Sequence, residues 1–210
     1  MNRTLETFYH HLGRPLRFRS RILLGFLVIP LGLCFTAPLW NIHMLAPQYP
    51  NGLNLEIYAH TVGGDVQEVN TLNHYIGMAA IDRAALSDLD WIPFALGALI
   101  VLTLRVAALG ENRSLIDLLV LTSYFAVFSM GRFAYKLYVF GHNLDPKAPF
   151  TVEPFTPAIF GTKQIANFTT SSYPEAGSYW MGVFGLGLLV VLAWNWRGAF
   201  RGVARDAPRA

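Results

Sequence analysis

Four long apolar segments, separated by polar stretches, constrain the fold of this chain more than any other feature. Charged residues make up only 14% of the chain, whereas a soluble globular domain typically carries about 25%. A helix needs about 20 mainly apolar residues to cross a bilayer. The segments 22–40, 91–109, 115–136 and 179–196 reach this length, the second and third by including flanking charges. The sequence therefore predicts an all-α membrane protein with four transmembrane helices.

Most basic residues lie on one side of these segments. Eleven of the sixteen lysines and arginines precede the first segment, flank the turn between the second and third, or follow the fourth: Arg3, Arg14, Arg17, Arg19, Arg21, Arg105, Arg113, Arg197, Arg201, Arg205 and Arg209. Cytoplasmic loops are enriched in Lys and Arg. We therefore expect a multi-pass protein of a bacterial inner membrane, with 1–21 and 197–210 in the cytoplasm. The segments 41–90 and 137–178 are then periplasmic loops, called here the first and second outer loops.

The first outer loop carries the patterns of short regular elements. Apolar and polar residues alternate from Leu53 to Ile57, which predicts a short strand. Val69, Leu72 and Ile76 have helical spacing and predict a helix over 66–76. Asp65 and Glu68 have the spacing of a capping box at its start. A second short helix is expected around Arg83 to Asp88.

The second outer loop contains five prolines and is predicted to be extended rather than helical: Pro146, Pro149, Pro154, Pro157 and Pro174. An irregular loop of this length is usually functional or a docking surface. We expect it to pack over the first outer loop. Arg132 or Lys136 would pair with a loop carboxylate or with loop carbonyls.

The third apolar segment has a polar face. Asp117, Tyr124, Phe128 and Tyr135 share one side of a helix, and Arg132 lies about 60° away. An ionisable residue at membrane depth suggests a functional site. Both charges are near the helix ends, however, so snorkelling to the interface is the favoured explanation.

Histidine and methionine residues of the outer loops form the candidate metal set. His74 and Met78 are four residues apart and would share one face if the predicted helix continued through Gly77. Thioether and imidazole ligands suit copper. Three further outer histidines could complete the coordination: His43, His60 and His142. The competing interpretation is that these residues make ordinary hydrogen bonds and fill gaps in the packing.

Several strings in the outer loops resemble a known group of proteins. Tyr49-Pro-Asn-Gly-Leu53, Ile57-Tyr58 and Asn70-Thr-Leu-Asn-His-Tyr-Ile-Gly-Met78 lie in the first loop, and Pro157 to Gly161, Ile165-Ala-Asn-Phe168 and Ser172-Tyr-Pro174 lie in the second. Together they resemble small bacterial four-helix membrane proteins associated with nitrous oxide reductase and copper-respiration gene clusters. The resemblance implies an accessory role in respiration or copper handling. The candidate site residues it carries over are Asn73, His74, Tyr75 and Met78.

Three functions follow, in order of preference. The first is an accessory protein that docks a periplasmic respiratory copper protein and holds copper transiently. The second is a structural or anchoring subunit of a membrane respiratory complex without a metal, and the third is a transporter or membrane enzyme using the polar face of the third segment. The chain contains no HExxH sequence, no Gly-rich phosphate loop and a single Cys, so an enzyme is less expected than an accessory or structural protein. Membrane lipid and a respiratory protein are the expected partners, and nucleic acid is not.

Overall fold

The computed structural model describes residues 9, 12–82, 84–165 and 167–205, with the backbone alone for Asp88 and for 197–205. Parts of the predicted cytoplasmic stretches 1–21 and 197–210, and Arg83 of the second short helix, lie outside the described residues. The chain divides into two compact units. The helical unit contains the described parts of 1–32, 95–125 and 180–210, and the sheet unit contains those of 33–94 and 126–179.

Helices and strands alternate in blocks along the chain. In order they are α1 (Phe18–Phe26), α2 (Val28–Leu33), β1 (Trp40–Ala46), β2 (Tyr49–Ile57), β3 (Val62–Gly64), α3 (Val66–Tyr75), a 3₁₀ helix (Ala85–Leu89), α4 (Trp91–Leu109), α5 (Asn112–His142), β4 (Gly161–Ile165), β5 (Phe168–Pro174) and α6 (Ala176–Arg205).

The predicted all-α class with four transmembrane helices is wrong. The five strands form one antiparallel sheet in the order β3-β2-β1-β5-β4. Among the described residues, three helices are long and apolar enough to cross a membrane: Ala85–Leu109, Asn112–His142 and Ala176–Trp196. The remaining apolar segment of the prediction, 22–40, is divided between short helices and the start of the sheet.

Proline explains why the first apolar segment does not form one long helix. Pro30 has no N–H to donate to the carbonyl of Phe26, and Phe26 is the last residue of α1. The two resulting helices have nine and six residues. At about 1.5 Å per residue, neither reaches the roughly 30 Å of a bilayer core. The segment then ends at Trp40, the first residue of β1.

The sheet unit is organised around one apolar face of the sheet. Alternating residues of β1 and β2 form its core together with Val69 of α3: Trp40, Ile42, Met44, Leu53 and Leu55. Leu72 of α3 and Phe133 and Leu137 of α5 pack against this cluster. The predicted strand over 53–57 and the predicted helix over 66–76 are therefore confirmed, the helix to within one residue. The short helix predicted near 83–88 is present as the 3₁₀ helix Ala85–Leu89.

The predicted capping box at the start of α3 is wrong. Asp65 occupies the N-cap position but makes no side-chain hydrogen bond to the helix. Its carboxylate instead accepts a hydrogen bond from the backbone N–H of Asn54, with 2.8 Å between N and Oδ2. The Asp65 side chain therefore fastens the helix start to β2.

The second outer loop becomes part of the same sheet. Helix α5 continues to His142, and the proline-rich stretch that follows carries the chain to β4 and β5. Strand β5 pairs with β1 from Trp40 opposite Pro174 to Leu45 opposite Thr169. The predicted contact between the two outer loops is confirmed, but β5 lies beside β1 in one sheet rather than over the first outer loop.

Buried polar side chains and a backbone cap fix contacts within the helical unit. Asn195 of α6 donates from Nδ2 to the Ser20 hydroxyl of α1 at 2.9 Å. Arg21 of α1 donates from Nε to the Ala107 carbonyl at 2.6 Å, where the last carbonyls of α4 have no partner within their own helix. Both contacts satisfy polar groups that apolar surroundings would otherwise penalise.

Candidate functional site

The stretch from Asn70 to Met78 combines the end of α3 with a tight turn. Helix α3 ends at Tyr75, and Gly77 has a φ of +77°. A Cβ atom on Gly77 would lie 2.8 Å from the Asp145 carbonyl oxygen. Only glycine adopts this φ easily and also permits so close an approach. The residue is therefore the point where the first outer loop meets the second.

Backbone hydrogen bonds hold the two loops together at this point. The Asp145 N–H donates to the Gly77 carbonyl at 2.8 Å, and the Phe150 N–H donates to the Tyr75 carbonyl at 3.0 Å. The Asp145 carboxylate accepts from the Lys147 N–H at 2.9 Å and so shapes the turn between them. These bonds fix the backbone on both sides of Tyr75 and Phe150.

Asn73 supports the same turn from inside. It is buried, its Nδ2 donates to the Ala79 carbonyl at 3.3 Å, and its own carbonyl accepts from the Met78 N–H at 2.8 Å. The Ile81 N–H donates to the side-chain oxygen of Asn70 at 2.7 Å, and Asn70 Nδ2 donates to the Ile81 carbonyl at 3.3 Å. Side-chain amides thus stabilise a backbone that has left the helix.

Three rings are displayed on this fixed backbone, and we call them the aromatic surface: His74, Tyr75 and Phe150. The ring centroids of Tyr75 and Phe150 are 6.3 Å apart, and those of His74 and Tyr75 are 6.4 Å apart. Tyr75 is 46% exposed and Phe150 is 63% exposed, and His74 is also exposed. Large aromatic side chains on a rigid backbone favour association because little conformational entropy is lost when they are covered.

The geometric basis of the predicted His74–Met78 pair is lost. The prediction required the helix to continue through Gly77, but α3 ends at Tyr75 and Gly77 turns the chain. Among the described residues, no group of three or more His, Cys, Asp or Glu side chains is arranged to hold a metal ion. The predicted histidines are therefore not gathered into one such group, and metal binding stays a prediction.

The other predicted histidines have different surroundings. His43 alternates with Ile42 and Met44, which face the core, so its side chain is on the opposite face of the sheet from α3. Its Nδ1 is 3.0 Å from the Asn54 side-chain oxygen. His142 stacks on Tyr138 at 3.8 Å between ring centroids, and its Nδ1 is 2.9 Å from the Tyr138 carbonyl oxygen. His60 is exposed and lies 6.5 Å from the Tyr58 ring.

Glu56 lies on the polar face of the sheet, the same side as His43, because it is opposite Asn41 in the ladder. The Tyr58 hydroxyl donates to the Glu56 carboxylate at 2.8 Å. That hydrogen bond stabilises the protonated phenol and raises the pKa of Tyr58 above its usual 10.0.

The charged residues predicted on the third apolar segment lie along α5. Arg132 is placed over the Tyr135 ring at 5.6 Å, and Lys136 over the Phe140 ring at 5.5 Å. Asp117 is exposed, as are Tyr124 and Tyr135 on the same face of the helix. The pairing of Arg132 or Lys136 with a loop carboxylate stays a prediction.

Sequence reasoning missed two residues that shape these surfaces. Phe150 was not predicted, because it follows Pro149 in an irregular stretch without a helical or strand pattern. Ser172 was also missed: it is fully buried, and its hydroxyl accepts from Trp40 Nε1 at 2.7 Å. A serine in a strand gives no hydropathy signal for burial.

Comparison with known proteins adds no family to this description. No protein-family model matches the sequence, and no curated protein or solved structure matches it at a significant level.

Proposed function

We propose that this protein is a membrane-anchored accessory protein that docks a water-soluble partner protein on its aromatic surface. The observation that carries the proposal is the fixed, exposed ring pair of Tyr75 and Phe150. The two residues come from different outer loops and are joined by the hydrogen bond between their backbones. The backbone hydrogen bonds alone join the two outer loops, so this contact does not account for two exposed aromatic rings.

The chemistry of the aromatic surface favours a protein partner. Aromatic residues are enriched at the centres of protein interfaces, where a few anchors supply most of the binding energy. His74 adds a polar ring beside the two anchors. Because the supporting turn is fixed by backbone and side-chain amide bonds, binding does not have to order it.

The distribution of basic residues supports an orientation for this docking. Arg105 and Arg113 flank the turn between α4 and α5, and four further arginines follow Trp196. By the positive-inside rule, that side is cytoplasmic. The sheet unit then faces the periplasm of a bacterial inner membrane, and the partner is a periplasmic protein.

The resemblance of the outer-loop strings selects the first partner to test. It implies copper respiration, so we propose a periplasmic copper protein of a respiratory pathway. Copper held transiently at His74 and Met78 belongs to the same proposal, with remaining ligands supplied by the partner. A structural subunit without metal is the second candidate, and the continuous β1–β5 ladder between the outer loops favours it because it makes a rigid platform.

Site-specific photo-crosslinking tests the docking proposal. The crosslinking residue p-benzoylphenylalanine replaces Tyr75 or Phe150 in the full-length protein, and cells are irradiated before membranes are purified. We expect both positions to crosslink the same periplasmic protein, identified by mass spectrometry. Copper analysis of the captured complex, with and without His74→Ala, separates the two candidates, because only a metal-holding role predicts copper loss.

The matched control is Leu45, a residue of β1 that is 43% exposed, against 46% for Tyr75. The crosslinker at position 45 should not capture that protein. Equal capture from 75, 150 and 45 would show unspecific proximity and contradict docking at the aromatic surface. Absence of any periplasmic product from both test positions, with normal protein level, would contradict it as well.

A further inference from the structure

A second exposed aromatic pair lies at one end of the sheet. Phe160, just before β4, and Tyr173 of β5 have ring centroids 5.5 Å apart in an edge-to-face arrangement. Phe160 is 69% exposed and Tyr173 is 46% exposed. Phe160 also lies 6.4 Å from the Trp40 ring, which faces the core. Because Tyr173 and Trp40 belong to opposite faces, Phe160 is at the end of the strands.

This end of the sheet is the one where the chain enters and leaves the apolar helices. Trp40, opposite Pro174 in the ladder, is the last residue of the apolar segment 22–40, which contains α2 and the end of α1. Pro174 ends β5, and α6 begins two residues later at Ala176. The opposite end carries the β1–β2 turn at 47–48.

The length of α5 can be compared with the thickness of a bilayer. Phe133 of α5 lies 5.2 Å from the Trp40 ring. From Asn112 at the start of α5 to Phe133, the helix rises about 32 Å at 1.5 Å per residue. This distance is close to the roughly 30 Å of a bilayer core. Helix α5 is therefore long enough for Phe133 to reach the second interface of a bilayer that the helix enters at Asn112.

Side chains at the start of α4 and on α5 near Phe133 have the composition of a membrane interface. Trp91, the first residue of α4, lies 5.1 Å from Phe128 of α5. Arg132 lies over the ring of Tyr135. Trp and Tyr concentrate where hydrocarbon meets headgroups, and Arg reaches toward the headgroups from there.

We propose that Phe160 and Tyr173 insert into the boundary between headgroups and acyl chains of the outer leaflet, so that the sheet rests on lipid at its Trp40–Pro174 end. The occupant of this apolar surface is the bilayer, and continuity with the interfacial residues of α4 and α5 is the reason. The inference rests on the membrane anchoring in the proposed function and is independent of the aromatic surface.

Spin-label accessibility in nanodiscs tests the inference on the full chain. The background variant is Cys34→Ser, in which serine can keep the hydrogen bond that Cys34 donates to the Gly177 carbonyl. Single cysteines then replace Phe160, Tyr173, Leu186 or Gln48, and the nanodiscs contain phosphatidylethanolamine and phosphatidylglycerol. Leu186, an exposed residue of α6, reports membrane insertion, and Gln48 reports the opposite end of the sheet.

We expect collisions with oxygen to dominate at 186 and collisions with a water-soluble nickel chelate to dominate at 48. Labels at 160 and 173 should give oxygen-to-nickel ratios between these two. Ratios at both positions equal to that at 48, with 186 in lipid, would overturn the inference and leave the anchoring intact. A label at 160 or 173 shielded from both reagents would indicate protein rather than lipid and would also overturn it. Nickel-dominated collisions at 186 would overturn the anchoring itself.

Discussion

Strands β2 and β5 flank the same central strand, yet they are stabilised by different chemistry. β2 buries Leu53 and Leu55 against α3, so its alternation of apolar and polar residues is readable in the sequence. β5 buries Thr170 and Ser172, which are 3% and 0% exposed. Their hydroxyls donate to the carbonyls of Lys163 and Ile159. A hydropathy pattern therefore reveals a strand that buries apolar side chains. It misses a strand that buries hydroxyl side chains whose hydrogen bonds are made within the protein.

Trp40 contacts both β2 and β5, so its substitution should have the largest effect on the stability of the sheet. Its ring packs in the core with the leucines of β2, and its Nε1 donates to Ser172 of β5. Trp40→Ala should lower the free energy of unfolding of the sheet by about 3–5 kcal/mol. Urea titration in detergent micelles, followed by pulse proteolysis, measures this.

The control for Trp40 is Leu45→Ala on the same strand, because Leu45 is exposed. We expect its effect to stay within about 0.5 kcal/mol. Equal losses from the two variants would mean that the apolar face of the sheet is not its stabilising core.

The adjacent serines of β5 give the sharper test of the comparison. Ser172→Ala leaves Trp40 Nε1 buried without this acceptor and should cost about 1–3 kcal/mol in the same titration. Ser171→Ala removes only a hydroxyl on the polar face, 2.9 Å from that of Thr162, and should cost about 0.5 kcal/mol or less.

A double substitution isolates the hydrogen bond from the packing. Trp40→Phe removes the N–H donor, so adding Ser172→Ala to it should cost less than Ser172→Ala alone. Strict additivity of the two changes would contradict the role given to the Trp40–Ser172 bond, and β5 would then need another source of stability.

The smallest expected effect is a change in the pKa of Tyr58, which is hydrogen-bonded to Glu56 on the polar face of β2. Hydrogen bonding to the Glu56 carboxylate keeps the proton on Tyr58, so Tyr58 should ionise above its ordinary pKa of 10.0. Glu56→Gln should lower its pKa toward 10.0, and the titration of ¹³C-labelled tyrosine, assigned with Tyr58→Phe, follows this. Identical titration curves in both proteins would contradict the hydrogen bond.

The contrast between β2 and β5 also explains how far the fold could be predicted from sequence. The strand at 53–57, the helix at 66–76 and the three long apolar helices carry periodic or continuous hydrophobic signals. The five-stranded sheet was missed because β1 begins at Trp40, the last residue of an apolar segment, and β5 consists largely of Thr and Ser. The prediction assigned Trp40 to a transmembrane helix and the rest of β1, like β5, to the outer loops.

The candidate site could be predicted only in part for a related reason. Asn73, His74 and Tyr75 were selected, but their surface is completed by Phe150, more than 70 residues away in sequence. The four-residue spacing of His74 and Met78 would place both side chains on one helix face, but α3 ends at Tyr75, before Met78. A positive φ at Gly77 depends on the approach of Asp145, and sequence spacing does not reveal that approach.

The strand order has a consequence for biosynthesis. β1 is the central strand, and one of its two neighbours, β5, begins only at Phe168. At a synthesis rate of roughly 5–20 residues per second, β1 is made on the order of 10 s before β5. During that interval its unpaired edge is a template for wrong pairing. The nascent chain therefore has to pass through a stage in which three strands exist with the central edge open, and a membrane chaperone acting at that stage would protect the chain from aggregation.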